Sequence, residues 1–357
     1  MTATEIFTLP KNRMHAFLGA LSGYKLYAPV LVEGVLLFDL ITDLKKFSCD
    51  AALSGNPVKP PKALLFPQTE TMFRFNVTRD VDISVGKDNE GERIIFGIHS
   101  CDARSFLIFD QVFDRDPSDP YYANRRRKTV IIGIACNIPG ANCFCTSVGG
   151  GPASKEGLDV LFTDLGDRYV VETVTTRGKV LIKQVRKTNP DLMAECQAVD
   201  IQKALELHKS AEEKMPRNID LDGMPKKLAR LSEHQFWSDI SSKCIACGIC
   251  TYLCPTCYCF DIQDEAAPLS ANVYKLVGKR VRVWDSCMFP EYTLQASGYN
   301  PRPLRIHRIK NRIYHKYKWH PENFKSFACV GCGRCIDFCP VNVDIVEILS
   351  KVKAIRD

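Results

Sequence analysis

Short apolar runs recur through the first half of the chain, separated by polar stretches. Arg93–Ile98 (RIIFGI), Thr129–Ala135 (TVIIGIA), Leu158–Thr163 (LDVLFT) and Arg168–Glu172 (RYVVE) are rich in β-branched and aromatic residues, which predicts strands. Between the first two, Asp102–Phe113 (DARSFLIFDQVF) has the apolar spacing of an amphipathic helix. Strand, helix and strand in that order predict a βαβ unit with parallel strands. A second helical pattern covers residues 190–215. The stretch Arg217–Lys227 (RNIDLDGMPKK) carries Gly223 and Pro225 without either period, which predicts an interdomain linker, and Gly149–Pro152 predicts a second flexible point. The expected organisation is an α/β domain over residues 1–230 followed by a C-terminal domain over 231–357.

Cysteine content alters this ordinary picture. The chain has 357 residues, 45% hydrophobic and 25% charged, as expected of a globular protein with a core, but it carries 17 cysteines. All except Cys49, Cys101 and Cys196 fall in two blocks, 136–145 and 244–339. Such clustering points to metal ligation in a reducing compartment rather than to a disulfide framework. The N-terminal residues MTATEIFTLPKNRMHAF lack the apolar core of a signal peptide, and the most apolar window, 28–41, contains Glu33 and Asp39 and is too short to span a bilayer. A cytoplasmic protein without membrane insertion is expected.

Cys244, Cys247, Cys250 and Cys254 follow C-x2-C-x2-C-x3-C-P, ending on Pro255, and Cys329, Cys332, Cys335 and Cys339 repeat it, ending on Pro340. This is the bacterial ferredoxin spacing. Three cysteines at two-residue gaps let one tight loop wrap three corners of a cuboidal cluster, while the fourth is carried off towards a helix. Zinc sites instead pair two C-x2-C halves. In two-cluster ferredoxins the fourth cysteine ligates the other cluster. One [4Fe–4S] cluster is therefore assigned to Cys244, Cys247, Cys250 and Cys339, and the second to Cys329, Cys332, Cys335 and Cys254. Gly248, Gly331 and Gly333 are expected to let the backbone approach the inorganic core. The C-terminal domain is thus expected to be α-helical and ferredoxin-like, with a long insertion, 256–328, between its motifs. The formal charge of +7 suggests an acidic partner, but a thiolate-ligated cluster carries roughly −2 and offsets it, so nucleic acid is not expected.

The insertion contains Cys257, Cys259 and Cys287, which read either as ligands of a further centre or as buried thiols beside the clusters. It ends in Arg302–Lys318 (RPLRIHRIKNRIYHKYK), which reads either as a single-strand nucleic-acid surface or as a cationic face over the anionic clusters or an acidic partner. Upstream, Cys101 and Cys136 each follow a predicted strand, and Cys143 and Cys145 lie on the adjoining loop. Ligands gather at the carboxyl ends of neighbouring parallel strands, so these four thiols are expected to hold a third [4Fe–4S] centre, with structural thiols as the alternative. His99 and Asp102 flank the site as substitute ligands. Cys49 and Cys196 stand alone and read as buried thiols. No G-x-G-x-x-G or G-x-x-x-x-G-K-[ST] motif occurs, so no nucleotide site is expected.

The blocks FGIHSCDARSF, NCFCTSVGGGP, DVLFTDLGDRYVVE, CPTCYCFDIQDE, RVWDSCMF, GYNPRP, NRIYHKY and CVGCGRCIDFCP resemble a family. It comprises the electron-transfer component of anaerobic sulfite reductases and the beta subunit of cytoplasmic NiFe hydrogenases, the sulfhydrogenases. The resemblance runs from about residue 60 to 345. It implies a non-catalytic electron-transfer subunit in a hetero-oligomer with a flavoprotein reductase subunit, NAD(P)- or ferredoxin-linked, and a catalytic redox subunit. It carries the two-cluster ligands over to Cys244–Cys254 and Cys329–Cys339. Two alternatives compete with this reading: a self-contained iron–sulfur enzyme with catalysis at the N-terminal centre, and an iron–sulfur nucleic-acid-binding protein.

Overall fold

The computed structural model describes residues 4–44, 47, 55–86, 91–266 and 276–355. Twelve strands are present among them: β1 (Ile6–Pro10), β2 (Lys25–Val32), β3 (Val35–Leu40), β4 (Thr69–Val77), β5 (Val81–Ser84), β6 (Arg93–His99), β7 (Thr129–Ile134), β8 (Val160–Asp164), β9 (Arg168–Thr173), β10 (Ala194–Glu195), β11 (Phe260–Ala266) and β12 (Leu276–Trp284). An eight-stranded sheet runs in the order β10-β1-β9-β8-β7-β6-β2-β3. Its centre, β2 to β8, is parallel, and its flanking pairs are antiparallel.

The four predicted strands are β6, β7, β8 and β9. The helix Ser100–Phe113 joins β6 to parallel β7, so the expected βαβ unit is present. Successive residues serve opposite faces. Ile94, Phe96, Ile132 and Phe162 pack with Phe17 and Ile182, whereas Ile95, Ile98, Ile131 and Leu161 pack with Phe106, Phe109 and Phe66. Burial of both faces explains the unbroken apolar runs.

Two expectations fail. The pattern over 190–215 is helical only from Ala198 to Glu213, because Ala194–Glu195 pairs with the edge strand β1 and Pro190–Leu192 forms a single 3-10 turn. The stretch 217–227 is not a loose linker. Ile219 and Leu221 are buried beside Trp237 and Leu349, Arg217 pairs with Asp344 at 2.6 Å, and Pro225 lies in the first turn of a helix, Met224–Arg230. Apolar anchors at alternate positions outweigh its turn-forming composition.

The insertion between the cysteine motifs contributes the antiparallel hairpin β11–β12, which joins β4 and β5 in a second sheet of order β11-β12-β4-β5. The hairpin is anchored by Arg282, buried between Glu70 at 2.5 Å and Asp119, with its guanidinium 4.7 Å from the Phe66 ring. Each cysteine motif is mostly loop and places its third cysteine, Cys250 or Cys335, on a short helix, Ile249–Tyr252 or Arg334–Asp337, beside Phe236–Lys243, Arg305–Tyr314 and Ile345–Ala354. Among the described residues no helix is long and apolar enough to cross a membrane.

Candidate metal centres

The thiols gather in three cavities. Cys244, Cys247 and Cys250 line the first together with Cys339, which arrives from the other motif with Pro340. Cys329, Cys332 and Cys335 line the second together with Cys254 and Pro255. Each cavity therefore combines three cysteines of one motif with the last of the other. Four thiolates can hold either a [4Fe–4S] cluster or one zinc ion, and the ferredoxin spacing of the two motifs favours the cluster.

The third cavity is lined by Cys101, Cys136, Cys143 and Cys145, with His99 at its wall. Its position follows from the parallel sheet: β6 ends at His99 and β7 at Ile134, so their carboxyl ends deliver Cys101 and Cys136 side by side. Burial pushes Cys145 up to about 11 and Cys136 up to about 12, each further raised by the neighbouring Cys143.

Gly248, Gly331 and Gly333 each line a cysteine cavity, and the space where the side chains of Gly331 and Gly333 would stand is filled by protein. A Cβ on Gly331 would lie 2.6 Å from the Cys145 backbone, and one on Gly333 2.8 Å from that of Asn142. Phe144 N–H donates to the Gly331 carbonyl at 2.8 Å. The C-x-C loop thus rests directly on the second ferredoxin motif, and Cys332 borders both the second and third cavities. Gly248 is required similarly, since a Cβ there would meet the Phe289 ring at 2.7 Å.

The two expected substitute ligands differ in their availability. Both carboxylate oxygens of Asp102 are taken by Arg334, Nη1 and Nη2 each donating at 2.6 Å, so Asp102 is committed to an ion pair. His99 is buried with neither ring nitrogen partnered by protein, and burial pulls its pKa down to about 4, which leaves a neutral ring beside the thiols.

The basic stretch 302–318 turns inward. Arg308, Arg312 and Lys316 are buried, while Arg305 donates to the Cys244 carbonyl at 2.7 Å and Lys310 to that of Ser232 at 2.7 Å. Burial of Arg308, Arg312 and Lys316 fits the reading of a cationic face over the cysteine cavities, while Arg305 stays exposed. Buried Lys62 and Arg334 were not singled out. Arg334 sits inside the second motif, where its position was a usable signal, but nothing around Lys62 marks it in the sequence. Of the three insertion thiols, Cys257 and Cys287 are buried and Cys259 is half-buried. Cys196 is half-buried away from the cavities, and Cys49 lies outside the described residues.

The 4Fe-4S dicluster domain family matches residues 243–343, the span containing the first two cavities. Sulfhydrogenase 2 subunit beta of Pyrococcus furiosus is 30% identical over 329 residues, covering 92% of each chain. The chain belongs to the sulfhydrogenase beta-subunit family. The likeness extends across the α/β half as well as the cysteine motifs, as the sequence blocks implied. Members of this family are iron–sulfur proteins of electron transfer, and thiol-lined cavities in the C-terminal domain fit [4Fe–4S] binding.

Proposed function

We propose that this chain is the electron-transfer subunit of a hydrogenase-type complex, relaying electrons between a flavin- or ferredoxin-linked subunit and a catalytic subunit. The observation that carries the proposal is the continuity of the three cavities: Arg312 lines the first and second, and Cys332 lines the second and third. Cys244, Cys247, Cys250 and Cys339 would hold one cluster, Cys329, Cys332, Cys335 and Cys254 the next, and Cys101, Cys136, Cys143 and Cys145 the last. Bound clusters would supply one-electron carriers. The chain's own residues set spacing, exclude water and neutralise charge.

The two ends of the series approach solvent while the middle is closed. Cys247 is exposed beside exposed Ile245, and the third cavity borders the wider cleft that includes exposed Ile138 and Phe338. Buried Cys329 and Cys254 lie between. That arrangement suits exchange with a partner at either end.

The test is iron and acid-labile sulfide per chain on anaerobically purified protein, with EPR of the reduced form. About twelve of each supports three centres. About eight of each would return Cys101, Cys136, Cys143 and Cys145 to the status of structural thiols and shorten the relay to two centres.

A further inference from the structure

The helix Arg305–Tyr314 continues into a single π turn, His315–Trp319, and together they carry Arg308, Arg312 and Lys316 at four-residue spacing. The last two reach the cysteine cavities. Lys316 Nζ donates to Cys254 Sγ at 3.3 Å, to Thr256 Oγ1 at 3.0 Å and to the Ala328 carbonyl at 2.8 Å. Three acceptors engage all three protons of an ammonium group, whereas a neutral amine has only two, so the geometry calls for the charged form. Arg312 lines the first and second cavities, and its Nε and Nη2 are buried without a protein acceptor. Donors left open in this way suit cluster and cysteine sulfur.

Charge is therefore distributed unevenly along the series. The second cavity has both Lys316 and Arg312 in its wall, while the first has Arg312 alone. Near the third, the charge of Arg334 is cancelled by its paired contacts with Asp102. Reduction adds an electron to a cluster, and a fixed positive charge in a dry interior favours that more negative state. We propose that Lys316 and Arg312 make the cluster held by Cys254, Cys329, Cys332 and Cys335 the highest-potential centre of the chain, the point where an electron rests between the two ends. This rests on the ligand assignment proposed above.

The experiment is an EPR-monitored potentiometric titration of the full, cluster-loaded chain, compared with Lys316→Gln and Lys316→Arg. Glutamine keeps hydrogen-bond donors but removes the charge, and should move the most easily reduced centre to a more negative potential while the others shift less. Arginine should retain the original order. Unchanged potentials in Lys316→Gln at full iron content overturn the inference, as does an equal shift in both variants, which would mark lost packing. Should Lys316→Gln not retain iron, Arg312→Gln serves instead: it should lower the first and second centres and spare the third, and no shift there also overturns the proposal. Cys254→Ser separates the ligand assignment from the charge effect. It should perturb the EPR signal of the same centre that Lys316→Gln shifts. Perturbation of a different centre would refute the assignment, and with it the identity of the high-potential cluster.

Discussion

At the scale of single residues, the glycines of the second motif make the sharpest claim. Gly331 has φ +66°, and its Cα faces the Cys145 backbone with no room for a methyl group. Gly331→Ala combines a left-handed backbone strain of about 1–3 kcal/mol with a direct clash against the loop bearing Cys143 and Cys145. The expected outcome is loss of the third centre, with iron falling from about twelve to about eight per chain while the C-terminal pair survives. Retention of all iron with an unchanged EPR spectrum would show that this contact does not support the loop. The ferredoxin spacing made Gly331 noticeable in the sequence, but for a different reason. Its actual neighbour, Cys145, lies in the other half of the chain, and no local pattern reveals such a partner.

At the scale of elements, the β11–β12 hairpin explains why the insertion between the motifs is long. It extends from the cluster region to β4 and shares a buried charge group with it: Arg282, Glu70, Asp119 and Arg125. Removing one member of a buried ionic group leaves the others desolvated and imperfectly paired, typically costing about 3–5 kcal/mol. Arg282→Met should lower the chemical denaturation midpoint of the anaerobic protein by a corresponding amount, and a variant as stable as the parent would mean the hairpin is held by apolar contacts alone. The central strands were readable because both faces are buried, which makes their sequences continuously apolar. β11 was not, because it reads FDIQDEA, is largely exposed, and is a strand only by virtue of pairing with β12.

At the scale of the molecule, the crossed placement of the last cysteines ties the two motifs into one unit. Cys339 belongs by sequence to the second motif but lines the first cavity. Cys339→Ala should therefore remove or convert the cluster built on Cys244, Cys247 and Cys250 before the other, observable as loss of one EPR component and a drop of up to about four irons. Selective loss of the cluster near Cys329 would contradict the crossed arrangement. Interruption of the first centre should also uncouple electron transfer along the series while leaving the α/β sheet folded, since the sheet's two apolar cores lie apart from Cys339.

Whatever depends on local spacing was legible in the chain alone. Cysteines three and four positions apart specify cluster-binding loops, unbroken β-branched runs specify buried strands, and strand ends place Cys101 and Cys136 together. Whatever depends on distant partners was decided by the folded chain. Folding committed Asp102 to Arg334 and left His99 open. It drew 217–227 into the core, turned Arg312 and Lys316 towards the thiols, and seated the C-x-C loop on Gly331 and Gly333. Spacing is a property of neighbouring residues, whereas burial of a charge and contact between backbones arise only when remote segments share one interior.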